Sequence, residues 1–130
     1  MDLNKLKPVK ADEGATLDLR HPETEEVIKG MSITLLGQDS AIYRKMQLAK
    51  QQSALARISK GKKAVDLDAE RLSEESLDDL VKLTIGWTGF KLDGAELECT
   101  PDNVRTVYND WVWIKEQAQE FVNNRANFFR

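Results

Sequence analysis

The fold depends on residues 83–108, LTIGWTGFKLDGAELECTPDNVRTVY, which separate two helix-rich parts of the chain. The glycines on either side of the tryptophan permit a sharp turn, because glycine adopts backbone angles that other residues resist. The Asp-Gly pair after them is typical of a tight turn, so a short hairpin or an extended corner is expected. We predict a structural corner, here called the corner, formed by Gly86, Trp87, Gly89, Asp93 and Gly94.

The same stretch contains the start of a helix. Thr100 can cap free amides of a first turn, Pro101 suits the first helical position, and Asp102 favours the positive end of the helix dipole. This helix is expected to end near Asn109 and Asp110. Asp110 can then cap a last helix, which is expected to end around Arg125. The apolar face of that last helix comprises Trp111, Ile114, Ala118, Phe121 and Val122.

Before the corner, the chain begins with a polar segment and continues with alternating residues. Residues 1–14 have little to bury and predict a flexible N-terminal arm. From residue 15 to residue 37, apolar and polar side chains alternate, as they do on half-buried strands. A small antiparallel sheet of two or three short strands is therefore expected. Its turn lies at His21 and Pro22, and Gly30 marks a bulge or a second turn.

Two helices of opposite charge are predicted between the sheet and the corner. Asp39 or Ser40 can cap the first helix. Residues 41–63 contain seven basic residues and no acid, whereas residues 64–80 contain seven acids and one base. The apolar stripe expected on the first helix comprises Ile42, Met46, Leu48, Ala49, Leu55 and Ile58.

The opposite charges leave three interpretations open. The two helices can pair antiparallel and neutralise each other, with exposed ion pairs that contribute less than about 1 kcal/mol each. The basic helix can instead form a strip that binds another protein. It can also contact nucleic acid through residues 44–63, although that segment lacks interleaved aromatic residues.

The composition permits one mostly helical α+β domain over residues 15–130 and argues against several functions. Of the 130 residues, 41% are hydrophobic and 32% are charged, and the net charge of −3 gives no general attraction to nucleic acid or anionic membranes. One cysteine and one histidine make neither a disulfide nor a metal cage, and no cofactor is expected. No catalytic triad, carboxylate pair or phosphate-binding loop stands out, so we expect no enzyme. The absence of a long apolar segment favours a cytoplasmic location.

Several short motifs occur in order from about Leu17 to the end of the chain. They are His21-Pro22, Leu36-Gly37-Gln38-Asp39-Ser40, Tyr43-Arg44, Gly86-Trp87, Asp93-Gly94, Thr100-Pro101-Asp102-Asn103 and Ala126-Asn127-Phe128. As an ordered set they resemble the tail assembly chaperones of long-tailed, siphovirus-type bacteriophages and prophages. Glu25 stands where the turn of these chaperones often has glycine.

The resemblance implies a non-enzymatic protein of the infected host's cytoplasm that is absent from the mature virion. It implies binding to the helical tape measure protein before tail tube subunits polymerise around it. In many such phages a longer, frameshifted form recruits the tail tube (major tail) protein. Self-association of the chaperone is left open.

Aromatic residues off the predicted core are the candidate contacts with such a partner. A tape measure chain exposes apolar helical surface, which a helical protein can mask by helix-in-groove packing. The candidate protein-binding residues are Trp113, Phe128, Phe129 and Phe90. In contrast, Trp87 and Trp111 are expected to pack in the core.

Two other functions stay open at this point. The chain can be a structural tail or head–tail joining protein that is retained in the virion. It can also be a small regulator that binds nucleic acid through its basic helix. Mass spectrometry of purified virions separates the first from a chaperone, and salt-dependent nucleic-acid binding tests the second.

Overall fold

The alternating segment after residue 14 forms two of the three strands of an antiparallel sheet. β1 (Ala15–Arg20) pairs with β2 (Val27–Leu35), so that Leu17 lies opposite Ile33. The computed structural model, which describes residues 2–59 and 69–129, confirms the strands that the alternation predicts. The turn between them contains Glu25, which adopts a φ of 62° although it is not a glycine.

A bulge on β2 interrupts the pairing with β1, as Gly30 predicts. Arg20 pairs with Val27 and Asp18 pairs with Ser32, so one residue of β1 (position 19) faces four residues of β2 (positions 28–31). Gly30 lies among these four and has a φ of 78°, which glycine adopts without steric cost. Bulges redirect neighbouring side chains, and this one helps to form the site described below.

The corner supplies the third strand of the sheet. β3 (Thr84–Thr88) pairs antiparallel with β2, which makes the strand order β1-β2-β3. The prediction that the backbone turns at Gly86 is wrong, because this residue lies within β3 opposite Thr34. Its φ is not positive, and an added Cβ would meet no described atom within 4 Å. The turn lies instead at Gly89, which has a φ of 78°.

Five α-helices are present in the described residues, and four of them have ten or more residues. α1 (Lys10–Glu13) precedes β1, α2 (Ala41–Ser59) follows β2, and α3 (Ala69–Leu83) leads into β3. α4 (Pro101–Asp110) and α5 (Val112–Asn123) follow the corner. The prediction of a mostly helical α+β fold with about four helices and a small antiparallel sheet is confirmed.

The helix starts follow the predicted caps with one exception. Oγ1 of Thr100 accepts a hydrogen bond from the amide three residues later at 3.2 Å, and Oγ of Ser40 does the same at 3.2 Å. Asp110 is not the cap of α5, because α4 continues through it. Trp111 separates the two helices and makes no side-chain capping bond.

The main core lies between one face of the sheet and the helices α3, α4 and α5. Leu19, Ile33 and Leu35 form its sheet side, while Thr16 and Asp18 are exposed, as alternation along a strand requires. The fully buried helix residues that meet this face include Leu80, Val104, Tyr108, Ala118 and Val122. Each large apolar side chain buried here contributes about 1.5–3 kcal/mol.

α2 contributes little to this core, which contradicts the stripe predicted from its sequence. Met46 is buried, but Ile42, Leu48 and Leu55 are 45%, 54% and 66% exposed, and Ala49 is exposed too. The side chain of Ile58 and the loop around Gly61 lie outside the described residues. An ion pair of Lys50 with Asp79 joins α2 to α3, as the interpretation of paired, oppositely charged helices expects.

The N-terminal segment packs against the domain at α1, within residues 1–14, for which the sequence predicts a flexible arm. Ala11 is 1% exposed, and its carbonyl oxygen accepts a hydrogen bond from the Gly37 amide at 2.9 Å. Oδ1 of Asp12 accepts a hydrogen bond from the amide of Ala41, the first residue of α2, at 2.7 Å. A second small core contains Ala11, Ala15 and Phe128.

Candidate protein-binding groove

An apolar groove opens between β2, the corner and the junction of α4 with α5. Its volume is about 180 Å³. Nine of its ten lining residues are apolar, and the tenth, Lys91, is the only charged one among them. The groove is lined by Ile28, Met31, Phe90, Lys91, Leu92, Leu97, Val107, Trp111, Trp113 and Ile114.

The hairpin of the corner forms one wall of the groove. β4 (Lys91–Leu92) and β5 (Ala95–Glu96) are joined by Asp93 and Gly94, whose φ values are 53° and 82°. Two successive positive φ values are typical of a type I′ turn, in which Asp-Gly is a favoured pair. The predicted turn is therefore confirmed. It leaves Leu92 on the groove with 41% of its surface exposed.

Trp87 fixes the hairpin to the rest of the domain. Its Nε1 donates a hydrogen bond to the carbonyl oxygen of Leu97 at 2.8 Å, and its ring stacks on Phe90 with centroids 4.4 Å apart. Aromatic pairs of this kind contribute about 0.5–1.5 kcal/mol beyond their burial. Phe90, the fourth candidate contact, is 5% exposed and belongs to the main core as well as to the groove lining.

The bulge of β2 forms a second wall. Ile28 and Met31 both line the groove, although residues three apart on a regular strand point to opposite faces. The extra residues around Gly30 remove that alternation and let both side chains point the same way. The groove thus depends on an irregularity of the sheet.

Trp111 and Trp113 form a third wall at the helix junction. Trp111 has a φ of −116° and a ψ of 76°, and its amide donates a hydrogen bond to the Val107 carbonyl at 2.8 Å, which ends α4. This break places Trp111 at the surface with 36% exposure, so its expected core position is wrong. Trp113 is half-buried. Among the four candidate contacts, the structure brings Trp113 and Phe90 together in the groove.

The other two candidate contacts, Phe128 and Phe129, do not line the groove. Phe128 is 1% exposed, and its ring packs edge-on against Phe121 with centroids 5.4 Å apart. The prediction that Phe128 lies off the core is therefore wrong. An ion pair between Arg125 and Asp39, with Nε and Oδ2 2.6 Å apart, helps to hold this end of the chain in place. Phe129 is 38% exposed.

Sequence reasoning misses most of the groove lining. Ile28, Met31 and Leu97 resemble ordinary core residues in the sequence, and only the bulge and the hairpin bring them together. Leu92 carries a weak signal, because a large apolar residue directly before an Asp-Gly turn has little structure to bury it. Trp111 gives a similar signal directly after Asn109 and Asp110, where the first of two short helices ends.

Two titratable groups, Tyr108 in the core and the partly buried Cys99 beside it, favour their neutral forms. Burial raises the pKa of the Cys99 thiol, so the thiolate that a nucleophile requires is scarce near neutral pH. Burial also raises the pKa of Tyr108 well above its usual range, an effect that a hydrogen bond with Thr84 only partly opposes. Both groups therefore stay protonated under physiological conditions, in keeping with a packing role.

The volume of the groove fits one side chain rather than a whole small-molecule ligand. Pockets for drug-sized ligands measure about 300–1,000 Å³. An apolar cavity of about 150 Å³ is sufficient for benzene. The groove, at about 180 Å³, therefore matches one ring-sized group, such as an aromatic side chain of a partner protein.

No protein-family model, curated protein or solved structure matches this chain. Within residues 2–59 and 69–129, no three His, Cys, Asp or Glu side chains come together in a way that could hold a metal ion. None of the described helices combines the length and the apolar character needed to cross a membrane.

Proposed function

We propose that the protein is a non-enzymatic tail assembly chaperone of a long-tailed bacteriophage or prophage, and that it binds the tape measure protein through the groove. The observation that carries the proposal is an open, apolar groove bordered by the exposed Trp111. A helical partner can insert apolar side chains into such a groove at intervals of three or four residues. The ordered motifs of the sequence agree with this family.

The surface around the groove supports protein binding. Leu92 and Trp111 are 41% and 36% exposed on the groove itself. Val112, which lies between the lining residues Trp111 and Trp113 in the sequence, is 48% exposed. Monomeric proteins seldom leave several large apolar side chains exposed together, and such patches commonly mark sites of protein interaction.

The energetics favour many weak contacts over one strong contact. Burial of one large apolar side chain contributes about 1.5–3 kcal/mol, whereas a micromolar complex requires about 8 kcal/mol. One filled groove therefore holds a partner only weakly. A long helical partner that presents the same kind of surface repeatedly can bind many copies, which suits a protein that coats a tape measure chain.

The proposed activity takes place in the cytoplasm of the infected bacterium. The chaperone keeps the tape measure protein soluble until tail tube subunits assemble around it, and a longer, frameshifted form recruits the tail tube protein. The chaperone then leaves and is absent from the mature virion. A structural tail or head–tail joining protein would instead stay in the particle.

Co-expression with the tape measure protein of the same phage tests the proposal. The expected result is a soluble complex that co-purifies, in contrast to an unrelated helical protein expressed in the same way. Equal recovery of the tape measure protein with the chaperone and with the unrelated protein would contradict the proposal. Detection of the protein in purified virions by mass spectrometry, in amounts comparable to tail proteins, would favour the structural alternative.

A further inference from the structure

Lys91, the one charged residue among the described residues that line the groove, gives information about the partner. Lys91 lies on β4 at the edge of an otherwise apolar surface. Lysine side chains of this kind lay their methylene stem along apolar neighbours and keep the ammonium group in water. The stem therefore extends the apolar wall, and the charge stands at the rim of the groove.

The ammonium group of Lys91 is not engaged by the described part of the chain. Glu96 is its register partner across the β4–β5 hairpin, yet no ion pair within 4.0 Å joins the two side chains. The ion pairs that the described residues form use other cations, such as Lys50 and Arg125. The positive charge is thus free to meet a carboxylate of a bound partner.

The volume of the groove and its aromatic lining indicate which side chain of the partner it accepts. Its volume of about 180 Å³ accepts one ring-sized side chain, and Trp111 and Trp113 provide aromatic walls. Aromatic side chains pair favourably with such walls in offset-stacked or edge-on arrangements. An aromatic anchor therefore fits the groove better than a short aliphatic one.

From these observations we infer that the groove selects a helical segment with an aromatic anchor and a carboxylate within one helical turn of that anchor, and that Lys91 pairs with the carboxylate. Residues three or four apart on a helix lie on the same face, so both groups can reach the groove and its rim together. The inference rests on the proposed function only in taking the partner to be a protein helix. Lys91 is then the residue that discriminates acidic segments from basic ones.

Three synthetic helical peptides test this specificity. The first carries Phe with Glu four residues away, the second carries Phe with Lys at that place, and the third carries Ala with Glu. Titration into the full-length protein at low salt is followed by tryptophan fluorescence and calorimetry up to millimolar peptide, because a single groove holds a partner only weakly. The first peptide should bind most tightly, and the exchange of Glu for Lys should weaken binding by about two- to fivefold, as expected for an exposed ion pair. The loss of the aromatic anchor should weaken binding by at least about tenfold.

Variants of the protein assign the discrimination to Lys91. Lys91→Glu should reverse the order of the two Phe peptides, and Lys91→Met, which keeps an apolar stem, should remove the difference between them. Lys45→Glu changes an exposed lysine of α2 outside the groove lining and should leave the order unchanged. Thermal unfolding of each variant verifies that the fold is intact.

The outcomes separate this inference from the proposed function. Identical preference in the wild-type protein and in Lys91→Glu, or failure of all three peptides to bind, would overturn the inference even if the tape measure protein co-purifies. The expected peptide order without co-purification of the tape measure protein would support the inference and contradict the proposed function.

Discussion

Gly89 lies so close to Gly30 that a Cβ at position 89 would stand 2.0 Å from the Gly30 carbonyl oxygen. Real Cβ atoms do not approach a backbone oxygen to this distance. Both glycines have a φ of 78°, so each also occupies a conformation that other residues resist. This contact joins the β2 bulge to the corner, and the two together form neighbouring walls of the groove.

Alanine substitutions at three glycines should separate steric contact from backbone strain. Gly89→Ala should lower the free energy of unfolding by at least about 2 kcal/mol, because strain and overlap with Gly30 act together. Gly94→Ala should lower the free energy of unfolding by about 1 kcal/mol, because Gly94 has a φ of 82° but an added Cβ would meet no described atom within 4 Å. Gly86→Ala should stay within about 0.5 kcal/mol. Urea unfolding measures all three, and equal costs for Gly89 and Gly94 would show that the contact with Gly30 is absent.

The adjacent phenylalanines at the end of the chain should differ sharply in their contribution to stability. Phe128→Ala removes a ring that is 1% exposed and should cost about 3 kcal/mol. Phe129→Ala removes a ring that is 38% exposed and should cost less than about 1 kcal/mol. Thermal unfolding of the two variants compares them. Similar melting temperatures would contradict the burial of Phe128.

Trp111 should contribute more to partner binding than to folding. Because its side chain is 36% exposed on the groove, Trp111→Ala should change the free energy of unfolding by about 1 kcal/mol or less. The same variant should weaken binding of the tape measure protein by at least about tenfold, since exposed tryptophans are frequent hot spots of interfaces.

Phe129→Ala serves as the matched control for Trp111→Ala, since it removes a similarly exposed aromatic residue outside the groove lining. Pull-down against increasing concentrations of the tape measure protein gives the comparison. Equal loss of binding in the two variants would place the contact elsewhere.

The buried hydrogen bond between Thr84 and Tyr108 should appear as a coupling energy. Their oxygen atoms lie 2.7 Å apart, and Oγ1 of Thr84 also lies 2.8 Å from the Leu80 carbonyl oxygen, to which it donates. Thr84→Val leaves the Tyr108 hydroxyl without this partner and should cost about 1–3 kcal/mol. Tyr108→Phe should lower the free energy of unfolding by less in the Thr84→Val variant than in the wild-type protein. Strictly additive costs in urea unfolding would argue against the bond.

Signals within a few residues determined much of the local structure. Thr100 and Ser40 cap their helices, Asp93 and Gly94 make the hairpin turn, and Gly30 lies in a bulge, all as the sequence predicts. These features depend on the conformational preferences of single residues and on hydrogen bonds to near neighbours in the chain. They also account for the correct fold class, because alternation and helical periodicity are local patterns.

The tertiary structure alone decided which apolar residues are buried and where the groove forms. The burial of Ala11 and Phe128, the exposure of Leu48 on α2, and the surface position of Trp111 depend on contacts between segments far apart in the chain. Residues 83–108 illustrate both kinds of feature. Their turns can be predicted from the sequence. The third strand of the sheet and one wall of the groove, which these residues form, exist only because β3 pairs with β2. A hydrogen-bonded pairing between distant strands leaves no signature in either segment by itself.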